Sequence, residues 1–368
     1  MTAVRPDRRT GGAERAAQRS GRRAPLALVA LGLAGCVLFA LAVATGSVPI
    51  PPLRTVTALL GLGSGDPRLD VLVTGIRVPR AATAALAGAA LGAAGLLTQT
   101  LFRNPLAEPY VLGVSAGASL GVALVVTAGA TGAAFTAGGL GVLPSAGSRL
   151  GTVLAAATGA AAVLALVLLL SRAARSTTAL LVVGVMLGSV VTAVVSLLLV
   201  WTDPRQAQQF LAWGLGSVDG VALGELPVFG GVVAVGLVAV ALLAKPLDGL
   251  LLGDDYARTA GVDVARVRLV VLLVAAVLAG VVTAFCGPIG FLGIAVPHLA
   301  RISVGTSRHR VLVSATALTG AVVGLGCAVV GHPPGVETVL PLNVVTSLVG
   351  APVVIAVLLR SRKLGSAW

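Results

Sequence analysis

The chain has 368 residues, 57% of them hydrophobic and 11% charged, with a formal net charge of +13. A soluble domain carries roughly 25% charged residues, and the apolar runs of about twenty residues seen here suit a bilayer rather than a core; short alternating segments of the kind that build an outer-membrane barrel are absent. The basic residues cluster at the termini and in short loops with few aromatics between them, which argues against nucleic-acid binding and matches the excess of Lys and Arg on cytoplasmic loops.

In chain order, residues 1–24 are rich in Arg, Gly and Ala and are expected to be a disordered, basic, cytoplasmic N-terminus. An apolar run from Ala24, with Ala42-Val43-Ala44 after it, resembles a cleavable signal peptide, and Leu33-Ala34-Gly35-Cys36 resembles a lipoprotein box. The apolar sequence that follows favours an uncleaved first span. Spans are then predicted at about 25–46, 81–102, 110–128, 150–171, 178–201, 226–244, 267–286, 289–300, 311–331 and 341–360. The eighth is too short to cross unaided and needs shielding by its neighbours. The fold class is therefore all-α and polytopic, with one transmembrane domain over 25–360 and a tail at 361–368. An even number of spans leaves both basic ends in the cytoplasm. Cytoplasmic loops then contain Arg103, Arg172, Arg175, Lys245 to Arg268, and Arg301 to Arg310. The outer side receives Arg77, Arg80, Arg149, Asp219, Glu225 and His332.

No phosphate-binding loop is present, because neither Lys245 nor Lys363 follows a glycine. An ATP-driven role thus requires a separate ATPase subunit, and the chain itself is not expected to be an enzyme. The predicted span centres contain no Asp, Glu, Lys or Arg, which counts against a proton- or sodium-coupled carrier. Cys36, Cys286 and Cys327 show no metal or redox spacing. No cofactor is expected.

The longest polar interruption, about 245–268, is too short for a domain and suits one or two short helices at the cytoplasmic face. Asp254 and Asp255 stand near the start of such a helix, where the dipole favours acids, with Gly253 and Gly261 bracketing it. The turn Arg103-Asn104-Pro105-Leu106-Ala107-Glu108-Pro109 is proline-bracketed and begins with a turn-forming Asn-Pro pair. His298, beside Arg301, is read as a structural histidine capping the short eighth helix. Ser176-Thr177-Thr178 can cap a helix, line a wet gate, or both.

Five motifs occur in order between Arg77 and Arg360. They are the Arg77-Val78-Pro79-Arg80 entry; the Asn104–Pro109 turn followed by Leu112–Ala118; the segment Leu252–Gly261; the run Gly287 to Arg301 with its Pro297-His298 pair; and the stretch Pro341 to Pro352. The set closely resembles the FecCD-type permease subunits of ABC importers for iron-siderophores, haem and vitamin B12. The resemblance implies a ten-helix subunit working as a dimer around a central pathway, in a cytoplasmic membrane. Its implied partners are a second permease chain, identical or paralogous, an ABC ATPase, and a periplasmic or lipid-anchored substrate-binding protein. It assigns Arg77 and Arg80 to docking of the binding protein, with His332 standing where relatives carry an Arg. It assigns Asp254, Asp255, Arg258 and Gly261 to ATPase coupling, and Thr177 and Thr178 to a cytoplasmic gate. Asn104 and Glu108 either contact the ATPase or serve turn chemistry alone. Three positions depart from the family pattern: Ala328 with His332 in place of an Asp–Arg pair, Val339 in place of Glu, and Ser314 in place of Pro. The expected cargo is a ferric siderophore, with vitamin B12 or haem as alternatives; a secondary transporter that needs no ATPase is the rival from another class.

Overall fold

The computed structural model describes residues 10–48, 50–59, 61, 65–130, 149–171, 177–336 and 338–363. These residues form helices and connecting turns, with no strand among them. The first helix, α1 (Thr10–Ala44), begins well upstream of residue 25, so the disorder expected over 1–24 is corrected from Thr10 onward. The Ala- and Arg-rich composition that reads as unstructured by its charge also has high helix propensity.

Two short helices follow, α2 (Pro52–Leu59) and α3 (Pro67–Leu72). The second continues through a π-turn at Val73–Arg77 into α4 (Val78–Phe102), giving 36 uninterrupted helical residues from Pro67. A single 3-10 turn, Pro109–Leu112, leads into α5 (Val114–Ala130); α6 (Arg149–Ser171) and α7 (Thr177–Val200) come next. Beyond them lie α8 (Pro204–Gly214) and α9 (Leu226–Leu242), then α10 (Ala244–Leu251) and α11 (Asp254–Thr259). The last four are α12 (Val264–Cys286), α13 (Leu292–Val304), α14 (His309–Gly331) and α15 (Leu342–Lys363).

Start signals explain several boundaries. Asp66 and Asp203 accept the N–H of Arg68 and Arg205, each at 2.9 Å, with a proline next in sequence at the first helical position. Asp263 accepts the Arg266 N–H at 3.1 Å and opens α12.

Every predicted span has a helical counterpart. Six helices among the described residues are long and apolar enough to cross a membrane, and the α9–α10 pair, bent by 52°, makes a seventh. Three shorter apolar helices, in α5, α13 and α15, complete the set. With 13 residues, α13 is about 20 Å long, short of the ~30 Å hydrocarbon thickness. As expected it is shielded: Leu292, Ala295, Val296, Ala300 and Val304 are all buried, against α4 and α14.

The central element is α4, 83% of whose most apolar stretch is buried. It is flanked by α14, α12, α13 and α9. Its contacts are backbone to backbone: a Cβ on Gly88 would lie 2.0 Å from the Gly320 carbonyl oxygen of α14, and one on Gly95 1.9 Å from that of Gly293 in α13. The α5–α6 pair closes in the same way, with Gly121 against the Ala155 carbonyl at 1.9 Å. Where lipid supplies no hydrophobic drive, small residues let dispersion contacts and close backbones hold helices together. This is the physical use of glycines such as Gly88, Gly95, Gly121 and Gly320.

Ion pairs sort the loops onto the two expected faces. Arg103, Asp254 and Arg268 meet at one end, as do Asp248 and His309. Arg149 meets Glu225 and His332 meets Asp219 at the other.

Candidate functional site

The first candidate site, in the loop expected to be cytoplasmic, is an elbow built from α10 and α11. After the bend, α10 buries Ala244, Leu247 and Leu250 on one stripe. Gly253, at φ 118°, lets the chain turn into α11, and Gly261, at φ 81°, turns it out again. The only buried residue of α11 is Ala257. The elbow presents Leu251, Leu252 and Tyr256 to the exterior, with Leu252 66% exposed.

Asp254 does not face outward. One of its oxygens lies 2.8 Å from Arg103 Nη2, in the turn after α4, and the other is held by Arg268 of α12. Asp255 is exposed and pairs only with its helical neighbour Arg258, at 3.4 Å. Of the expected coupling residues, Asp254 is thus an internal strut, while Asp255, Arg258 and Gly261 stand on the outer rim.

The turn after α4 is set by local chemistry. Arg103 ends the helix in the left-handed region, at φ 46°. Asn104 Oδ1 accepts the Leu106 N–H at 2.9 Å, an Asx turn. Glu108 reaches inward, and its Oε1 accepts the Phe291 N–H at 3.0 Å. Burial raises the Glu108 carboxyl above its ordinary range, and the Phe291 N–H offsets part of that. Asn104 therefore serves the turn and Glu108 serves the start of α13.

In the irregular stretch 287–291 the Gly287 N–H bonds the Thr283 carbonyl, and side chains take the N–H groups that follow. Tyr110 accepts the Ile289 N–H at 3.1 Å and Asn343 accepts that of Gly290 at 2.9 Å. Asn343 also donates to the Pro288 carbonyl at 2.6 Å. Broken helix is tolerated at this depth only when each freed backbone group finds a partner in this way.

At the outer end the arginines expected to dock the binding protein are buried. Arg77 and Arg80 are 3% and 6% exposed. Arg77 donates to the carbonyls of Val43, Ala44 and Val48, and Arg80 to those of Ala42 and Thr45. The last carbonyls of a helix have no partner of their own and carry its negative dipole end. Two guanidiniums thus neutralise that end of α1. Among the described residues, the exposed arginines on this side are Arg54, Arg68, Arg205 and Arg149, the last paired with Glu225.

His332 is also buried, at 9% exposure. Its Nδ1 lies 2.9 Å from the Ala328 carbonyl and its Nε2 2.9 Å from Asp219. Burial favours a raised Asp219 pKa, but the His332 hydrogen bond and charge, the Ser217 hydroxyl and Arg80 outweigh it and lower the carboxyl below its ordinary range. His332 ties α14 to the loop before α9 and does not present a docking charge. A cavity of about 190 Å³ beside the pair is lined by Ser217, Cys327, Leu340 and Pro341 among others.

Thr177 and Thr178 form the first turn of α7, as expected for a span end. Their side chains, together with Arg172, Arg175 and Ser176, lie outside the described residues. His298 sits inside α13 rather than at its end, 6% exposed and 3.4 Å from Arg301.

Sequence reasoning missed a buried polar set. Gln99 receives Arg301 at 2.9 Å on its oxygen and donates to the Gly293 and Ile294 carbonyls. Asp248, His309 and Thr100 form a second chain of contacts. The available signal was a polar side chain within or at the end of an apolar run, since such groups are retained only with partners.

Comparisons with known proteins agree on one relationship. The model of the FecCD transport family matches residues 33–360. The vitamin B12 import system permease protein BtuC of Vibrio cholerae is 35% identical over 346 residues, covering 94% of this chain and 96% of that protein. The hemin transport system permease protein HmuU of Yersinia pestis is 33% identical, covering 78% of this chain and 83% of its own. A solved structure described as an inward-facing metal-chelate type ABC transporter superposes with a TM-score of 0.79 at 26% identity, covering 91% of this chain and 99% of that one.

Proposed function

The chain belongs to the FecCD transport family, and we propose that it is the permease subunit of an ABC importer in the cytoplasmic membrane, with both termini cytoplasmic. The observation that carries this reading is the α10–α11 elbow. A polar, two-helix projection with exposed Leu251, Leu252 and Tyr256 interrupts two spans and is braced against α4 and α12 through Asp254. Such an elbow suits an external partner that pushes on it.

In this reading the partner is an ABC ATPase, which hydrolyses the ATP. Asp255, Arg258 and Gly261 contact it, and Asp254 fixes the angle of α11. Two permease chains enclose the pathway, and closure of the ATPase pair displaces the elbows and alternates access. Thr177 and Thr178 narrow the cytoplasmic mouth. A substrate-binding protein docks outside, where Arg54, Arg68 and Arg205 rather than Arg77, Arg80 or His332 offer it positive charge.

The cargo is a bulky metal chelate, in our reading a ferric siderophore. Vitamin B12 is the second reading, favoured by the vitamin B12 import function for which the Vibrio relative is named. Two measurements test the proposal. The chain should co-purify with an ATPase subunit, and a deletion strain should lose growth on one ferric siderophore as sole iron source while keeping cobalamin-dependent growth. The reverse growth pattern selects the second reading. Transport by the isolated chain without any ATPase overturns both.

A further inference from the structure

Three residues from distant parts of the chain stand in line beneath the elbow. Asp248 Oδ1, on α10, lies 2.7 Å from His309 Nδ1 and 3.0 Å from the His309 backbone nitrogen. His309 Nε2 lies 3.0 Å from Thr100 Oγ1, near the end of α4. His309 is the first residue of α14, whose N-cap Arg308 supplies no side-chain cap. The Asp248 carboxylate therefore caps α14 from another helix, where the dipole favours negative charge. As a carboxylate only accepts, Nδ1 carries a proton and donates it to Asp248; Nε2 faces the Thr100 hydroxyl, whose own proton is directed at the Leu96 carbonyl.

Carboxylate, imidazole and hydroxyl in this order are also the parts of a nucleophilic triad. Burial excludes that use: Thr100 is 2% exposed and His309 1%, and the Thr100 hydroxyl also meets the Leu96 carbonyl at 2.8 Å. The line is a tie between three helices, sealed at its inner end and reaching the surface at Asp248, whose side chain is 40% exposed.

We infer that Asp248, His309 and Thr100 form a transmission strut, which makes α10 move as one body with the start of α14 and the end of α4. The inference rests on the permease reading, in which a partner displaces α10. Polar contacts suit the task because they are directional: a push on α10 lengthens a 2.7 Å hydrogen bond steeply, whereas apolar surfaces slide. The strut enters the membrane domain at α4 and α14, the pair locked by the Gly88–Gly320 contact, so displacement passes into the centre of the subunit.

The test is hydrogen–deuterium exchange of the permease–ATPase complex in nanodiscs, nucleotide-free and with Mg-ATP plus vanadate. In the wild type, segments 244–251, 309–316 and 96–103 should change exchange together when nucleotide is added. In Thr100→Val, segment 96–103 should lose its response by about twofold or more, while the other two keep theirs. In Asp248→Ala, both 309–316 and 96–103 should lose it while 244–251 still responds. Asp248→Asn keeps an oxygen acceptor and should respond as wild type does. Unaltered responses in Thr100→Val and Asp248→Ala overturn the strut, as does an equal rise in exchange with and without nucleotide, which is what local stabilisation alone produces. Should Asp248→Ala fail to assemble, Thr100→Val decides. If segment 244–251 of the wild type ignores nucleotide, the permease reading itself fails and takes the strut with it.

Discussion

Arg103 and Asp254 meet at 2.8 Å although 151 residues separate them in sequence. With Arg268 on the other oxygen, a single carboxylate joins the turn after α4, the start of α11 and the start of α12. Arg103 is half exposed, so the pair contributes only ~0.2–1 kcal/mol; what it fixes is the angle of α11. Asp254→Asn should accordingly leave the thermal midpoint of the purified chain almost unchanged. Substrate taken up per ATP hydrolysed by the reconstituted complex should fall by about 2- to 30-fold. Asp255→Asn should spare both the midpoint and the uptake per ATP of the assembled complex and instead weaken binding of the ATPase, since among the described residues Asp255 pairs only with Arg258, at the surface. Equal losses in the two variants would sink the distinction between strut and rim.

Gly261 is held at φ 81°, and an added Cβ would meet nothing within 4 Å. The cost of substitution is therefore conformational and not a matter of bulk. Gly261→Ala should destabilise the turn by about 1 kcal/mol and reduce coupled uptake. Gly261→Asn, which tolerates the left-handed region, should lie closer to wild type, and Gly261→Val furthest from it. The ratio of uptake to ATP hydrolysis across the three variants is the measurement. An order set by side-chain volume instead would point to a tight partner surface.

The spans were legible because their signal is the length of an apolar run, which the bilayer itself imposes. The elbow was legible as the longest polar interruption, and Gly253 and Gly261 marked its turns. Two kinds of feature were not legible. Arg77 and Arg80 read as exposed charges because nothing local says that the end of α1 lies beside them; their acceptors are 29 to 38 residues away. The Asp248–His309–Thr100 line joins positions 61 and 209 residues apart, and no spacing rule reaches that far. His332 failed for a related reason: its partner Asp219 belongs to another connection, between α8 and α9. Alternation of the loops assigns each of these residues to an end of the bundle, but not which of them the fold would bury.

The Asp219–His332 pair sets an acid limit. Asp219 has a lowered pKa in the folded state. A depressed carboxyl contributes stability that is present above its unfolded value of ~3.9 and is lost as pH falls through the folded one. His332→Gln removes the imidazole that faces Asp219, so it should destabilise the chain at pH 7 by about 1 kcal/mol after allowance for the partial exposure of Asp219. The gap between variant and wild type should close as pH falls and Asp219 takes up its proton. Thermal unfolding in detergent at several pH values between neutral and strongly acidic reads this directly. A gap that stays constant would mean that His332 acts only through its bond to Ala328.

Glu108 predicts the opposite sign. Its Oε1 accepts the N–H of Phe291, a non-glycine residue at φ 68° that opens α13. Burial raises its carboxyl, and the Phe291 hydrogen bond lowers it by less. A raised carboxyl contributes stability that is full below its unfolded value of ~4.3 and is lost as pH rises through the folded one. The site therefore disfavours the charged form of Glu108, where a neutral acceptor would serve Phe291 as well. Glu108→Gln retains an oxygen for Phe291 without the charge, and should raise the thermal midpoint at pH 7 while flattening the decline in stability above pH ~4.3. Glu108→Ala leaves the Phe291 N–H unpaired and should cost about 1–3 kcal/mol, disturbing the start of α13 and the Gln99 contacts to Gly293 and Ile294 behind it. Thermal unfolding of the three proteins at pH 5 and pH 7 separates the contributions. A Glu108→Gln chain less stable than wild type at pH 7 would mean that the charge of the carboxylate, rather than its oxygen, holds Phe291 in place.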